Sequence, residues 1–170
     1  TPLYSSAASD VYKRQKNAYR NAIKLNAQFD KAHFNLACIL LDEHHTKDAQ
    51  THLRKAIQIN PNNASAHYQL ALSLNQQGKF EGAENAFNKT IALMPNMAEA
   101  HYHLGSCLAQ QQRNEEAQSH YLRAIEIHPK YAEAYAAISS IYQAKGQLDL
   151  AEQALKESIF LNPQSYVALN

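Results

Sequence analysis

The sequence predicts an all-α fold, a solenoid of antiparallel helix pairs that repeat every 34 residues. Three observations carry that prediction. Pro61, Pro95, Pro129 and Pro163 recur at this interval, each closing an apolar helical run (AIQINP, TIALMP, AIEIHP, SIFLNP) where proline cannot continue the hydrogen-bond ladder. Small residues recur in the same phase, Ala49, Ala83, Ala117 and Ala151 and then Ala56, Thr90, Ala124 and Ser158, which lets helices approach closely. Large residues recur beside them and fill the gaps: Leu36, Leu70, Leu104 and Ile138; Leu40, Leu74, Leu108 and Tyr142; Leu53, Phe87, Tyr121 and Leu155.

Each element follows from that phase. Residues 1–15 (TPLYSSAASDVYKRQ) bear no phase relation to the repeat. They resemble translated sequencing-adapter contamination, are expected to be disordered or artefactual, and are set aside from fold reasoning. Residues 16–29, with Tyr19, Ala22, Ile23 and Leu25 in phase, read as the second helix of a truncated repeat. Four full repeats follow at 30–63, 64–97, 98–131 and 132–165, and Tyr166 to Asn170 (166–170) begin another truncated one. Each full repeat carries two helical apolar patterns, as in Leu36 and Leu40 and then Leu53, Ala56 and Ile57, split by a polar turn. The turns are EHHTKD, QGKFEG, QQRNEE and KGQLDL, in which Gly78 and Gly146 suit a helix end that needs positive φ. Each helix is therefore expected to run about 12 to 14 residues, roughly 20 Å. From the phase at both ends the chain is expected to be a fragment, and uncapped repeat faces would promote self-association.

Composition sets the outer bounds. With 16 Lys and Arg against 15 Asp and Glu, no charge excess draws the chain to nucleic acid or to anionic lipid. No apolar run approaches the roughly 20 residues that span a bilayer, so no membrane insertion is expected of this stretch. Cys38 and Cys107 stand too far apart, without neighbouring partners, to signal a metal pair or a disulfide framework. Localisation is left open.

The best-preserved repeat reads HYHLGSCL from His101 to Leu108, followed by Ala117, Tyr121, Ala124 and Pro129. This resembles the tetratricopeptide repeat family, whose pattern runs aromatic, two residues, Leu-Gly, two residues, Tyr, then Ala, an aromatic, Ala and Pro. The resemblance covers residues 30–163 and implies a right-handed superhelix. The family's leading tryptophan is replaced by His33, His67, His101 and Tyr135. The RNA-reading pentatricopeptide cousins have a 35-residue period and are usually basic, unlike this nearly neutral chain.

Stacked pairs that rotate slightly from one to the next line a concave wall with the first helix of each pair. If Leu36 and Leu40 face inward, the exposed stripe runs through Lys31, Phe34, Asn35, Cys38 and Asp42. Its counterparts are Ser65, Tyr68, Gln69, Leu72 and Gln76, then Glu99, Tyr102, His103, Ser106 and Gln110, then Glu133, Ala136, Ala137, Ser140 and Ala144. Phe34, Tyr68 and Tyr102 form an aromatic row, and Asn35, Gln69 and His103 a polar one. Amides that donate and accept, beside aromatics that cover apolar side chains, suit an extended peptide; packing against the next repeat is the competing role for the aromatics. The family's carboxylate clamp needs Lys and Asn on this stripe, whereas Phe34, Cys38, Gln69, Glu99 and His103 stand there. Asn35 matches one rung of the asparagine ladder in the family's sugar-transferring members; Gln69, His103 and Ala137 depart from it.

Catalysis and cofactors find no support in this pattern. His33, His67 and His101 fall on the repeat's aromatic packing site, His44 and His45 in a turn, and His101 and His103 diverge on one helix. His52, His120 and His128, on or beside second helices, are expected to be solvated. No histidine pair has the i, i+4 spacing that brings two metal ligands together. Glu115 and Glu116 suit a solvated helix start, and no phosphate-cradling loop or nucleophile elbow is present. The expectation is a non-catalytic scaffold that binds a protein or peptide partner. The alternative is the substrate-recruiting arm of a larger glycosyltransferase or sulfotransferase.

Overall fold

A computed structural model describes residues 3–163, with side chains from residue 11 onward. Among the described residues there are nine helices and no strand: α1 (Leu3–Leu25), α2 (Asp30–Asp42), α3 (Thr46–Ile59), α4 (Ala64–Gln76), α5 (Phe80–Leu93), α6 (Ala98–Gln110), α7 (Asn114–Ile127), α8 (Ala132–Ala144) and α9 (Leu148–Leu161). From α2 on, every helix is 13 or 14 residues long, as the repeat phase predicts. None of the described helices is long and apolar enough to cross a membrane. The further repeat expected at 166–170 lies outside the described residues.

The chain forms two compact units, Thr1–Ser73 and Leu74–Asn170, whose border falls within α4. In the N-terminal unit α1 packs on α2 and α2 on α3. Helix α1 runs from Leu3 to Leu25, across the boundary at residue 16 drawn from the repeat phase. Lys16 of α1 forms an ion pair with Glu43, the residue that caps α2. The core of this unit is Leu36, Ala37, Leu40, Ala49, Leu53 and Ala56, each no more than 3% exposed. Gln50 and Ser73, both buried, satisfy each other with a 2.8 Å hydrogen bond, which spares this interior the cost of unpaired polar groups.

In the C-terminal unit α5 packs on α6, α6 on α7, α7 on α8 and α8 on α9. Phe87, Leu104, Leu108, Tyr121 and Ile138 fill it against Ala83, Thr90, Ala117 and Ala124, so the recurrent large and small residues interlock. The buried Thr90 hydroxyl donates to the Ala86 carbonyl at 2.9 Å and so is satisfied within its own helix. Gly105 shows why a small residue is required: a Cβ there would lie 2.8 Å from the Tyr121 ring and 3.1 Å from the Ala117 carbonyl. Ala151 and Leu155 depart from the expected burial, Leu155 being 39% exposed. They lie on α9, whose main packing partner among the described helices is α8.

The turns inside the pairs share one backbone device. Gly78 and Gly146 take φ of 70° and 71°, and His44 and Gln112, at the matching repeat positions, take 60° and 62°. The sequence marks only the glycines; the other two accept a left-handed conformation that costs an L side chain about 1–2 kcal/mol.

Candidate functional site

Burial on one face of each first helix turns the predicted stripe the other way. In α6, His101, Leu104 and Leu108 are buried, while Glu99 is exposed and Tyr102, His103 and Ser106 are half-buried. In α8, Ile138 and Ile141 are buried, Glu133 and Ser140 are exposed, and Ala136 and Ala137 are half-buried. The N-terminal unit repeats the division. Lys31 and Ser65 are exposed there, and Phe34, Asn35, Cys38, Tyr68, Gln69 and Leu72 are half-buried.

In the C-terminal unit part of the stripe converges on an open hollow of about 420 Å³. Tyr102 supplies one wall, Glu133, Ala136, Ala137 and Ser140 the floor, and Ser158 and Asn162 the far side. Glu99, His103 and Ser106 do not line it. The sequence misses Ser158 and Asn162, since both lie on or just after a second helix, where the repeat assigns packing.

Aromatic rings crowd around Tyr102. Its ring centroid lies 5.0 Å from that of His103, 5.1 Å from Tyr131 and 5.8 Å from Tyr121, all at inclined angles. His103 in turn lies parallel to Phe87 at 6.2 Å. Burial first, and then the Glu133 charge, push the Tyr102 phenol above its ordinary value. Burial pushes Tyr121 up to about 12, with the Tyr102 phenol adding to it. Desolvation holds the His103 imidazole below its ordinary value, partly offset by Glu99. Both phenols and His103 are therefore neutral at neutral pH, so the charge beside the hollow is that of the carboxylates.

The histidines need a correction. His52 and His120 are not solvated but half-buried, because each faces the packing-site histidine of its own helix pair. The Nδ1 atoms of His33 and His52 are 2.9 Å apart, and those of His101 and His120 are 3.1 Å apart. Ring centroids 5.1 Å and 5.4 Å apart put the paired nitrogens almost on the line between ring centres. That head-on arrangement is a hydrogen bond rather than a metal-chelating bite, and among the described residues no group of three or more His, Cys, Asp or Glu could hold a metal ion. The tautomers follow from the other ring nitrogens. His101 Nε2–H donates to the Pro95 carbonyl at 3.1 Å and His33 Nε2–H to the Ala27 carbonyl at 3.3 Å, which leaves each Nδ1 to accept from its partner. His67 likewise donates to the Pro61 carbonyl at 3.0 Å. The packing-site histidine thus braces the turn before its helix as well as filling space.

The cysteines stay apart from this chemistry. Cys38 is half-buried and Cys107 buried, and desolvation raises both thiols above their ordinary value, which favours the unreactive protonated form.

Comparison with known proteins places this geometry. Models of the tetratricopeptide repeat match residues 40–90, 68–132 and 120–153, a run that together covers most of the chain. Among solved structures, MamA is similar over 95% of this chain and 95% of its own, at 23% identity and a TM-score of 0.86. MamA from Desulfovibrio magneticus RS-1 is similar over 95% and 94%, at 17% identity and a TM-score of 0.81. YrrB, described as a TPR protein with an unusual peptide-binding site, is similar over 96% of this chain and 84% of its own, at 23% identity and a TM-score of 0.81. No curated protein matches.

Proposed function

The chain is a tetratricopeptide repeat protein, and from that premise we propose that it is a non-catalytic scaffold which holds a peptide or partner helix against its first-of-pair helices. One observation carries this reading: the stripe of α6 and α8 opens onto a hollow with one aromatic wall and a floor of small side chains. A floor of Ala136, Ala137 and Ser140 leaves room for a side chain of the partner, and Tyr102 offers it a flat apolar surface. The peptide-binding site described for YrrB, a chain of similar fold, supports a role of this kind. A substrate-recruiting arm of a larger transferase has only Asn35 behind it.

The test replaces Tyr102 with Ala and follows both binding and melting, using peptide probes titrated onto isotope-labelled protein. Loss of the peptide-induced shifts at residues 102 and 133–140, with a melting point that falls through the lost ring contacts but leaves the chain folded at the temperature of the titration, is the expected result. A large fall in melting with binding intact would give Tyr102 to packing and sink the proposal.

A further inference from the structure

We propose that the hollow on the C-terminal unit selects a basic peptide segment and seats an arginine side chain between Tyr102 and Glu133. This rests on the groove reading above and adds the sign of the partner's charge. Helices α6 and α8 carry one carboxylate each, Glu99 and Glu133, and neither holds a lysine or an arginine. Both carboxylates are exposed, and neither makes a hydrogen bond or an ion pair among the described residues. Several other charges of the unit are paired with one another: Arg113 binds Glu84 and Glu116, Arg123 binds Glu126, and Lys156 binds Glu152, while the exposed Lys130 stands just before α8. The carboxylates of the stripe are therefore available to an incoming cation.

The hollow matches that cation in shape as well as in sign. Ala136 and Ala137 can take the aliphatic stem, Glu133 can accept from the guanidinium, and the Tyr102 ring supplies a π surface. Arginine fits better than lysine because its planar head can face a ring and a carboxylate together. An acidic partner would set like charges against each other across the wall, which weighs against it.

The experiment uses three labelled peptides of equal length on the intact chain, read by anisotropy. One carries two arginines, one has citrulline in their place, and one has glutamate. The arginine peptide should bind about tenfold tighter than the citrulline peptide, with the glutamate peptide weaker still. Glu133→Gln should remove most of that preference, and Glu99→Gln, outside the lining of the hollow, only a small remainder. Both positions are exposed, so the variants should melt like the parent. Equal binding of arginine and citrulline peptides, both lost in Tyr102→Ala, would overturn the charge preference and leave the groove standing. An arginine preference that persists in the Glu99→Gln, Glu133→Gln double variant would overturn it too. Failure of every peptide to bind would overturn both readings.

Discussion

His101 and His120 share one hydrogen bond between two rings, and its direction is set by the Pro95 carbonyl. A proton added at His101 Nδ1 would bring two donors face to face, so the pair resists double protonation. Desolvation is the main cause that holds His101 and His120 below the ordinary imidazole value, with Arg123 adding to the effect on His101 and the neighbouring His101 to that on His120; Glu116 and Glu84 act against it on His120. His52 is lowered by desolvation and then by His33 and Arg20, against Asp48. An imidazole whose pKa is lower in the folded chain binds its proton more readily once unfolded. Its stabilising contribution is therefore complete above the ordinary value of 6.5 and is lost as pH falls from there through the lowered folded value. Urea unfolding between about pH 7.5 and about pH 5 should show this decline. The His52→Ala, His120→Ala double variant should be less stable at neutral pH and flatter across the range, since alanine already stands at the matching positions Ala86 and Ala154. A variant whose curve runs parallel to the parent's would refute the assignment.

At the scale of the element, the turns and the close approach of α6 to α7 yield two predictions. Replacing His44 and Gln112 by Gly removes a left-handed strain at φ of 60° and 62°, and each should stabilise by about 0.5–1 kcal/mol, read from chemical denaturation. Gly78→Ala and Gly146→Ala should cost about as much, since φ of 70° and 71° admits a side chain only under strain. Gly105→Ala drives a methyl into the Tyr121 ring and should destabilise by about 1–3 kcal/mol. Tyr121→Leu should relieve most of that loss, because Leu53 fills the matching site in the first repeat. If the two effects simply add, the ring contact is not the cause. The helices themselves were legible because proline, small and large residues mark one phase, and burial enforces it at Leu36, Leu53, Phe87 and Leu104. The histidine pairs were not, because their members are 19 residues apart on different helices and no one-helix spacing rule brings them together. Tyr102 and Ser140 of the hollow could be picked from the stripe, but Ser158 and Asn162 could not, since their part depends on how α9 packs on α8.

For the molecule as a whole, α9 presents Leu148 at 66% and Phe160 at 79% exposure, apolar surface that water solvates poorly. Light scattering should show a rise in average mass with concentration, and Phe160→Glu should suppress it; a strict monomer at every concentration would contradict this. The histidine pairs and the glycine turns alternate along the chain. The first and third repeats carry the pairs, at His33 with His52 and His101 with His120, and the glycine turns fall in the other two, at Gly78 and Gly146. The chain thus has a longer internal rhyme of two repeats, which is what duplication of an ancestral double unit would leave behind. Shortening or lengthening such a gene by two repeats at a time preserves that alternation, whereas a change by a single repeat sets two like neighbours side by side.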